Sequence, residues 1–509
     1  MIDYIVILTQ RWFSFGSQGW LIFLYSLHLT VVFLIFCHLL RRRREATSAW
    51  FWLLLTWLVP ILGAILYLMF GITRIPAKIW RKAPARAPRK GDRYRPDTAE
   101  AQLPLAYWQA LDHAGIAEPV HPWAGDLNHA LNGILPDLPL LGGNRIEPLV
   151  TGDEAFPRML AAIRSARHHI HFQSFIVVSD SVGRMFMNAL AEKARAGVRV
   201  RFLYDRFGST PAVLRRFFSK YENIPNFQIA DWSLANPLKQ QVQFNLRNHR
   251  KTLVVDGEKA FMGGINLAED HVTCRNRPPI RDYHFELHGP VVLELQYTFL
   301  QDWYCMTDED PEVLMQSAHF PKAREAGRTQ ARVINSGPTH PSETGIDTVF
   351  ALITAARRQL LIVTPYFVPT SDILRAIRLA ALRGVDTRLV VPAVSNHFFA
   401  GWAGRALYEE LMQAGVRIYE RRPPFIHAKA LVVDDTAALV GTTNLDVRSL
   451  RVNYETNLVV FGAPFIDDLK RIVLEDLASS DEIQLEVWRK RPRRRRVIEN
   501  FWNLFAPQL

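Results

Sequence analysis

Residues 249–256 read HRKTLVVD, and residues 427–434 read HAKALVVD. Six residues then separate each aspartate from a glycine (Gly263, Gly441), and an asparagine stands three positions beyond it (Asn266, Asn444). On a β-strand, residues two apart share a face, so His249 and Lys251 point into one pocket, as do His427 and Lys429. The Leu-Val-Val run that follows anchors each strand in a core. Asp256-Gly257 and Asp434-Asp435 predict tight turns, after which a second strand returns through the glycine and the asparagine. Those glycines allow close backbone approach to a ligand. One H-x-K is commonplace on exposed strands. Two with identical spacing are not, because burying paired cations twice is costly unless they serve a site.

The motifs sit within a longer repeat. Residues 159–177, MLAAIRSARHHIHFQSFIV, resemble residues 350–368, FALITAARRQLLIVTPYFV. Each reads as an amphipathic helix running into an apolar strand. Each continues into a second helix and strand around Gly197 and Gly384, where glycine supplies the helix C-cap. Two βαβ-type halves predict an α/β body with a site between the lobes, each lobe contributing one set of residues. The histidines at 168, 169 and 171 lie at a helix-to-strand junction and read as solvated or core-satisfied. Tyr204, Asp205 and Tyr366 end apolar strands and could line the cleft.

The chain has 509 residues, 49% hydrophobic and 22% charged, with a net charge of +12. This suits two or three domains with a large core and excludes wholesale disorder. Three scattered cysteines exclude a disulfide framework. Trp20–Leu40 and Ala49–Phe70 carry no Asp, Glu, Lys or Arg, and each is long enough to cross a bilayer core. A signal peptide has a shorter apolar region and no second span after it. Arg41–Arg44 pulls the connecting loop towards the cytoplasm. The larger basic cluster after the second stretch pulls the opposite way and favours a cytoplasmic body. Residues 489–496, RKRPRRRR, precede VIENFWNLFAPQL, whose Phe501, Trp502, Leu504 and Phe505 suit docking on an anionic leaflet. Positive charge is thus concentrated beside expected membrane contacts, which argues for a membrane surface over nucleic acid.

On these residues the chain resembles the phospholipase D superfamily, whose signature is the duplicated HKD motif. Within it the chain is similar to the bacterial cardiolipin synthases. GTTNLDVRS at 441–449, followed by Asn453 and Glu455, looks like their second-motif region. The likeness spans roughly residues 145–480. It implies an α/β fold with two duplicated phospholipase D-like lobes forming one catalytic body, preceded by a two-helix transmembrane hairpin. The expected divisions are a hairpin at 1–74 and a basic, Pro-rich linker and lead-in at 75–144. A first half at 145–330, a second at 331–485 and a basic amphipathic tail at 486–509 follow.

The resemblance also implies the chemistry. One histidine attacks phosphorus to form a phosphohistidine, and the other protonates the departing alcohol and then activates the incoming one. His249 is the candidate nucleophile and His427 the candidate acid/base, with the reverse order open because the halves are nearly equivalent. Lys251 and Lys429, helped by Asn266 and Asn444, would clamp the non-bridging oxygens, with no metal or cofactor required. A histidine in such a role gains from a carboxylate that fixes its tautomer. Asp282 follows His249 and Glu455 follows His427 at similar distances, making each the expected orienter of the histidine before it. Asp256 and Asp434 belong to the motif, though the turn suits them better to structural hydrogen bonding. The implied activity is transfer of a phosphatidyl group between two phosphatidylglycerol molecules at the bacterial inner membrane, giving cardiolipin and glycerol. Hydrolysis or another alcohol acceptor is the alternative. The implied partners are phosphatidylglycerol and anionic membrane lipids, not nucleic acid.

Overall fold

The computed structural model describes residues 2–41, 46–71, 110, 122–135, 138–232, 246–274, 277–307, 309–338 and 343–506. Residues 75–121 of the expected linker, apart from residue 110, lie outside the described residues, as does the basic cluster that follows the second apolar stretch.

The N-terminal unit is helical. Ile2–Arg41 forms one helix, within which Gly19–Arg41 is long and apolar enough to cross a membrane. The expected second span at 49–70 is not one helix. It runs as Ala46–Leu58, breaks, and resumes as Leu62–Leu66 and a π-turn at Tyr67–Gly71. Pro60 lacks an N–H and its ring blocks a regular turn, and Ile61 accordingly takes a φ of 65°. The segments still pack together through Ile35, Leu39, Trp52 and Tyr67, and His38 Nδ1 lies 2.6 Å from the Tyr67 hydroxyl.

The body is built from two like halves. The first contains β1 (Leu141–Val150), β2 (His169–Ser174), β3 (Arg199–Asp205), β4 (Phe227–Trp232), β5 (Thr252–Val255), β6 (Lys259–Gly263) and β7 (Tyr283–His288). The second contains β8 (Thr329–Ser336), β9 (Gln359–Val363), β10 (Phe367–Val368), β11 (Asp386–Pro392), β12 (Arg417–Arg421) and β13 (Ala430–Val433). It ends with β14 (Ala437–Gly441), β15 (Leu445–Asp446), β16 (Glu455–Phe461) and β17 (Ser480–Glu482). The continuous sheet runs β17-β12-β11-β9-β13-β14-β16-β8-β1-β7-β6-β5-β2-β3-β4. Read outward from the antiparallel β8–β1 pair, each half repeats one order, which is the duplication expressed as topology.

Alternation along the motif strands divides the core. Leu253 and Val255 enter the first half's own apolar cluster, and Leu431 and Val433 enter the second's. Val254 and Val432 point the other way, into a cluster shared by both halves. The lobes therefore share an apolar interface that fixes one motif relative to the other.

The described residues add detail to the expected divisions. The lead-in is part of the body from Pro122, because helix Pro122–Ile134 packs Leu127 and Leu131 against the second half and Trp123 Nε1 donates to Ala355 O at 3.0 Å. β1 begins at Leu141, ahead of the expected start at 145. The tail is folded: helix Leu485–Arg489 buries Trp488, and helix Arg493–Asn503 buries Glu499 against the Arg491 guanidinium at 2.9 Å.

Candidate active site

β5 is antiparallel to β2, pairing Thr252 with Gln173, so His249 lies just past the carboxyl end of β2. β13 pairs Ala430 with Val363 of β9, placing His427 at the corresponding end in the second half. Each histidine is then tied to the opposite half by backbone. His249 N–H donates to Tyr454 O at 2.9 Å, and Tyr454 N–H donates to Arg247 O at 2.9 Å. His427 N–H donates to Arg281 O at 2.7 Å, and Arg281 N–H donates to Phe425 O at 2.9 Å.

These bridges exchange the expected carboxylate partners. His249 Nδ1 lies 2.9 Å from Glu455 Oε2, and His427 Nδ1 lies 2.7 Å from Asp282 Oδ2. Chain order instead pairs Asp282 with His249 and Glu455 with His427. The partners cross because Tyr454 and Arg281, which bridge to the opposite motifs, immediately precede Glu455 and Asp282. Proximity along the chain gives way to pairing between lobes. Asp282, held ionised, only accepts, so His427 Nδ1 carries the hydrogen and its Nε2 keeps its lone pair; His249 takes the same tautomer when Glu455 is ionised.

The lysines complete the group. Lys251 Nζ donates to His249 O at 2.7 Å, and Lys429 Nζ lies 2.8 and 3.0 Å from the two ring nitrogens of His427. Both are buried. Burial pulls the Lys251 ammonium down to about 7 and that of Lys429 to about 8, against the pull of the carboxylates. Burial, followed by the charge of Lys251 and Lys429, drives His249 well below its ordinary value. His427 falls to about 3 through burial and Lys429.

The two carboxylates diverge. Burial alone would raise Asp282, but Lys429 and His427 outweigh it and hold Asp282 at about 2. Burial wins at Glu455, which rises to about 7 despite Lys251. The pocket thus contains two neutral imidazoles, two cations poised near neutrality and one permanently ionised carboxylate. An entering phosphodiester anion would favour protonation of each basic group.

The chain matches a family model described as "Cardiolipin synthase, PLD-like domain" over residues 159–278 and 349–477. A second, "Phospholipase_D-nuclease N-terminal", matches residues 29–71. Cardiolipin synthase from Geobacillus kaustophilus is 34% identical over 502 residues, covering 97% of this chain and 95% of its own. Cardiolipin synthase 1 from Bacillus cereus is 32% identical over 94% of this chain and 92% of its own. The major cardiolipin synthase of Bacillus subtilis is 31% identical over 92% and 95%. The chain belongs to the cardiolipin synthase family. Its fold is also that of a crystallised phosphatidylserine synthase from Haemophilus influenzae, at a TM-score of 0.59 and 14% identity, covering 75% of this chain and all of that one.

Within this family fold, Asp256 and Asp434 lie away from the two histidine–lysine pairs, about 16 Å along the chain from each lysine at strand rise. They are scaffold residues, although their place in the motif suggested the site. Asp256 accepts from the N–H groups of Arg167, His168 and His169 at 2.8 to 2.9 Å. Asp434 accepts from those of Arg357, Arg358 and Gln359 at 2.7 to 3.1 Å. Both sit at positive φ, 54° and 53°, which aspartate tolerates in a tight turn.

The motif glycines serve packing against protein, not ligand approach. A Cβ on Gly263 or Gly441 would lie 2.5 Å from a backbone oxygen of the neighbouring strand, and one on Gly264 would lie 2.1 Å from Asp282 Oδ1. Asn266 and Asn444 hold backbone loops: Asn266 accepts from Ile176 N–H, just past β2, at 3.1 Å, and Asn444 Nδ2 donates to Ser449 Oγ at 3.2 Å.

Sequence reasoning missed Phe175. Its ring centre is 4.8 Å from that of His249, as Tyr366 is 6.2 Å from His427. The two occupy the same position in the repeat, and that alignment was the available signal. Asp205 accepts from Asn248 N–H at 3.0 Å, bracing the first motif. His169 and His171 are fully buried in a polar cluster with His319, Gln296 and Arg201, as core-satisfied residues should be.

Proposed function

We propose that this cleft transfers a phosphatidyl group from one phosphatidylglycerol to another, releasing glycerol and forming cardiolipin. The observation that carries this reading is the crossed arrangement: two histidines, each held by the other lobe's carboxylate, with a buried lysine beside each. The near-full-length likeness to cardiolipin synthases supports a second phosphatidylglycerol as the acceptor.

In the first step His249 Nε2 forms a bond to phosphorus while the P–O bond to the glycerol head group breaks. His427, as imidazolium, gives its proton to the leaving alkoxide. In the second step neutral His427 takes the proton from the hydroxyl of another phosphatidylglycerol. That oxygen displaces His249 from phosphorus and restores the starting state. Lys251 and Lys429 neutralise the non-bridging oxygens, while Asn266 and Asn444 hold the adjoining loops in place. The asymmetry between carboxylates supports this order. His427 must pass through the imidazolium form, and Asp282, ionised at all working pH, stabilises that cation better than Glu455 could.

The Gly19–Arg41 helix would anchor the chain, with the broken segment after it completing a hairpin and the body on the cytoplasmic side. Purified protein given phosphatidylglycerol alone should yield cardiolipin and glycerol. Phosphatidic acid as the sole lipid product would establish hydrolysis instead.

A further inference from the structure

The carboxyl ends of β3 and β11 are equivalent in the two halves, and both open onto the cleft. Two residues past each end stands an exposed apolar side chain, Phe207 in the first half and Val394 in the second. Phe207 lies beneath the Arg247 guanidinium, 3.8 Å from its ring centre, and Arg247 is two residues before His249. Leu214, on the short helix that follows, is 79% exposed.

A parallel chain of contacts leads outward from the second motif. Tyr366 meets the His427 ring, its hydroxyl donates to Asn396 Oδ1 at 2.7 Å, and its ring lies 5.2 Å from that of His397. The next residue, Phe398, is exposed and touches Trp502 at 5.5 Å between ring centres. Trp502 belongs to the C-terminal helix Arg493–Asn503, whose rotation is fixed by buried Glu499 on Arg491. With that helix so held, Arg493, Arg494, Arg495 and Arg496 face solvent, and so do Phe501 and Leu504.

Each lip of the cleft therefore carries exposed apolar groups. Cations stand beside them: Arg215 and Arg216 on one side, the arginine run on the other. Exposed Leu, Val and Phe grouped at the mouth of a site and rimmed by cations mark an interaction surface, where a single exposed side chain would not. A nucleic acid would answer the arginines but leave these side chains wet. An anionic bilayer surface answers both, since acyl chains take the apolar groups and head groups take the charge.

We propose that the two lips, Phe207/Leu214 and Val394/Phe398 with the C-terminal helix, form a docking face for an anionic lipid surface. That face seats the cleft mouth in the head-group layer. The inference rests on the phosphatidyl-transfer reading and extends it: the enzyme draws its lipid directly from the surface it sits on. The C-terminal segment acts as a folded part of one lip, not as a free tail.

The test uses the full chain reconstituted in vesicles of equal parts phosphatidylglycerol and phosphatidylcholine. Cys37, Cys274 and Cys305 are first replaced by serine. An environment-sensitive fluorophore is then placed singly through Leu214→Cys, Val394→Cys, Leu504→Cys or, as control, Leu382→Cys. Leu382 is 64% exposed at the end of the helix that leads into the opposite end of β11. The first three labels should shift to the blue and lose emission when nitroxide-bearing lipid is included, while the control should do neither. Three labels indistinguishable from the Leu382 control would overturn the docking face. So would loss of the blue shift on adding a single-stranded oligonucleotide. Cardiolipin is measured on the same vesicles: its formation without quenching defeats the docking face alone, and quenching without its formation defeats the transfer reading alone. A combined Leu214→Gln, Val394→Gln, Leu504→Gln variant should lose activity on vesicles while retaining it on short-chain lipid dispersed in detergent. Equal loss on both substrates would also count against the docking face.

Discussion

Asp282→Asn is the most informative single change, because it separates the crossed pairing from the one suggested by chain order. Asparagine is isosteric, and its oxygen can still accept from Tyr283 N–H, the bond that Asp282 Oδ1 makes at 2.8 Å. Gly264 leaves no slack for the side chain to move elsewhere. What is lost is the charge facing His427 Nδ1 at 2.7 Å. A hydrogen bond to a charged partner contributes about 1.5–3 kcal/mol. At about 1.4 kcal/mol per decade, kcat should fall roughly 10- to 150-fold while KM changes little. The pH profile supplies the sign. Asp282 raises His427, so removing its charge makes the imidazolium easier to deprotonate and moves the alkaline limb of kcat to lower pH. Glu455→Gln acts on His249 and should leave that limb in place. Initial rates of glycerol release across the pH range read both effects. An unchanged kcat in Asp282→Asn, or the limb moving only with Glu455→Gln, would refute the crossed assignment.

Asp256→Ala removes the acceptor of three backbone N–H groups and should lower unfolding stability by about 2–4 kcal/mol while keeping kcat per folded molecule. Denaturant titration beside the rate assay checks this, and a kcat loss at unchanged stability would contradict it. Lys251, near 7, and Lys429, near 8, lose their charge as pH rises through those values, so the KM for phosphatidylglycerol should climb on the alkaline side. A KM flat across roughly pH 6 to 9 would show that neither ammonium binds the phosphodiester. Asp282 is acidified from 3.8 to about 2 on folding. It therefore contributes roughly 2 kcal/mol above about pH 4, lost as pH falls towards 2, and Asp282→Asn should flatten that part of the acid-stability curve. Chelator should leave turnover intact, since lysines supply the positive charge; strong inhibition by EDTA would argue for an ion in the site.

Much of the body was legible because duplication writes the same physics twice. The strand periodicity of LVVD, the turn at each aspartate and the helix-strand repeat all act locally, and each formed where local rules place it. The carboxylate partners were not legible in the same way. Asp282 and Glu455 were identified, but assigning each to the preceding histidine assumed that pairing follows chain order. It is set instead by bridges at Tyr454 and Arg281 that join one lobe to the other. The second apolar stretch shows the converse. Composition along 49–70 favours one long helix, yet Pro60 ends the regular hydrogen bonding midway. Composition alone makes the C-terminal residues a basic amphipathic tail suited to an anionic leaflet. Trp488, Glu499 and Trp502 instead fold them onto the body, an outcome that depends on Arg491 and Phe398 being opposite.

The measurement that bears most directly on the catalytic cleft is mapping of the covalent intermediate. Protein mixed with phosphatidylglycerol is quenched at alkaline pH, where phosphohistidine survives, digested, and sequenced by mass spectrometry. A phosphatidyl group on the peptide containing His249, absent from His249→Ala, is the predicted result. An adduct on His427, or cardiolipin accumulating with no histidine adduct, would contradict it.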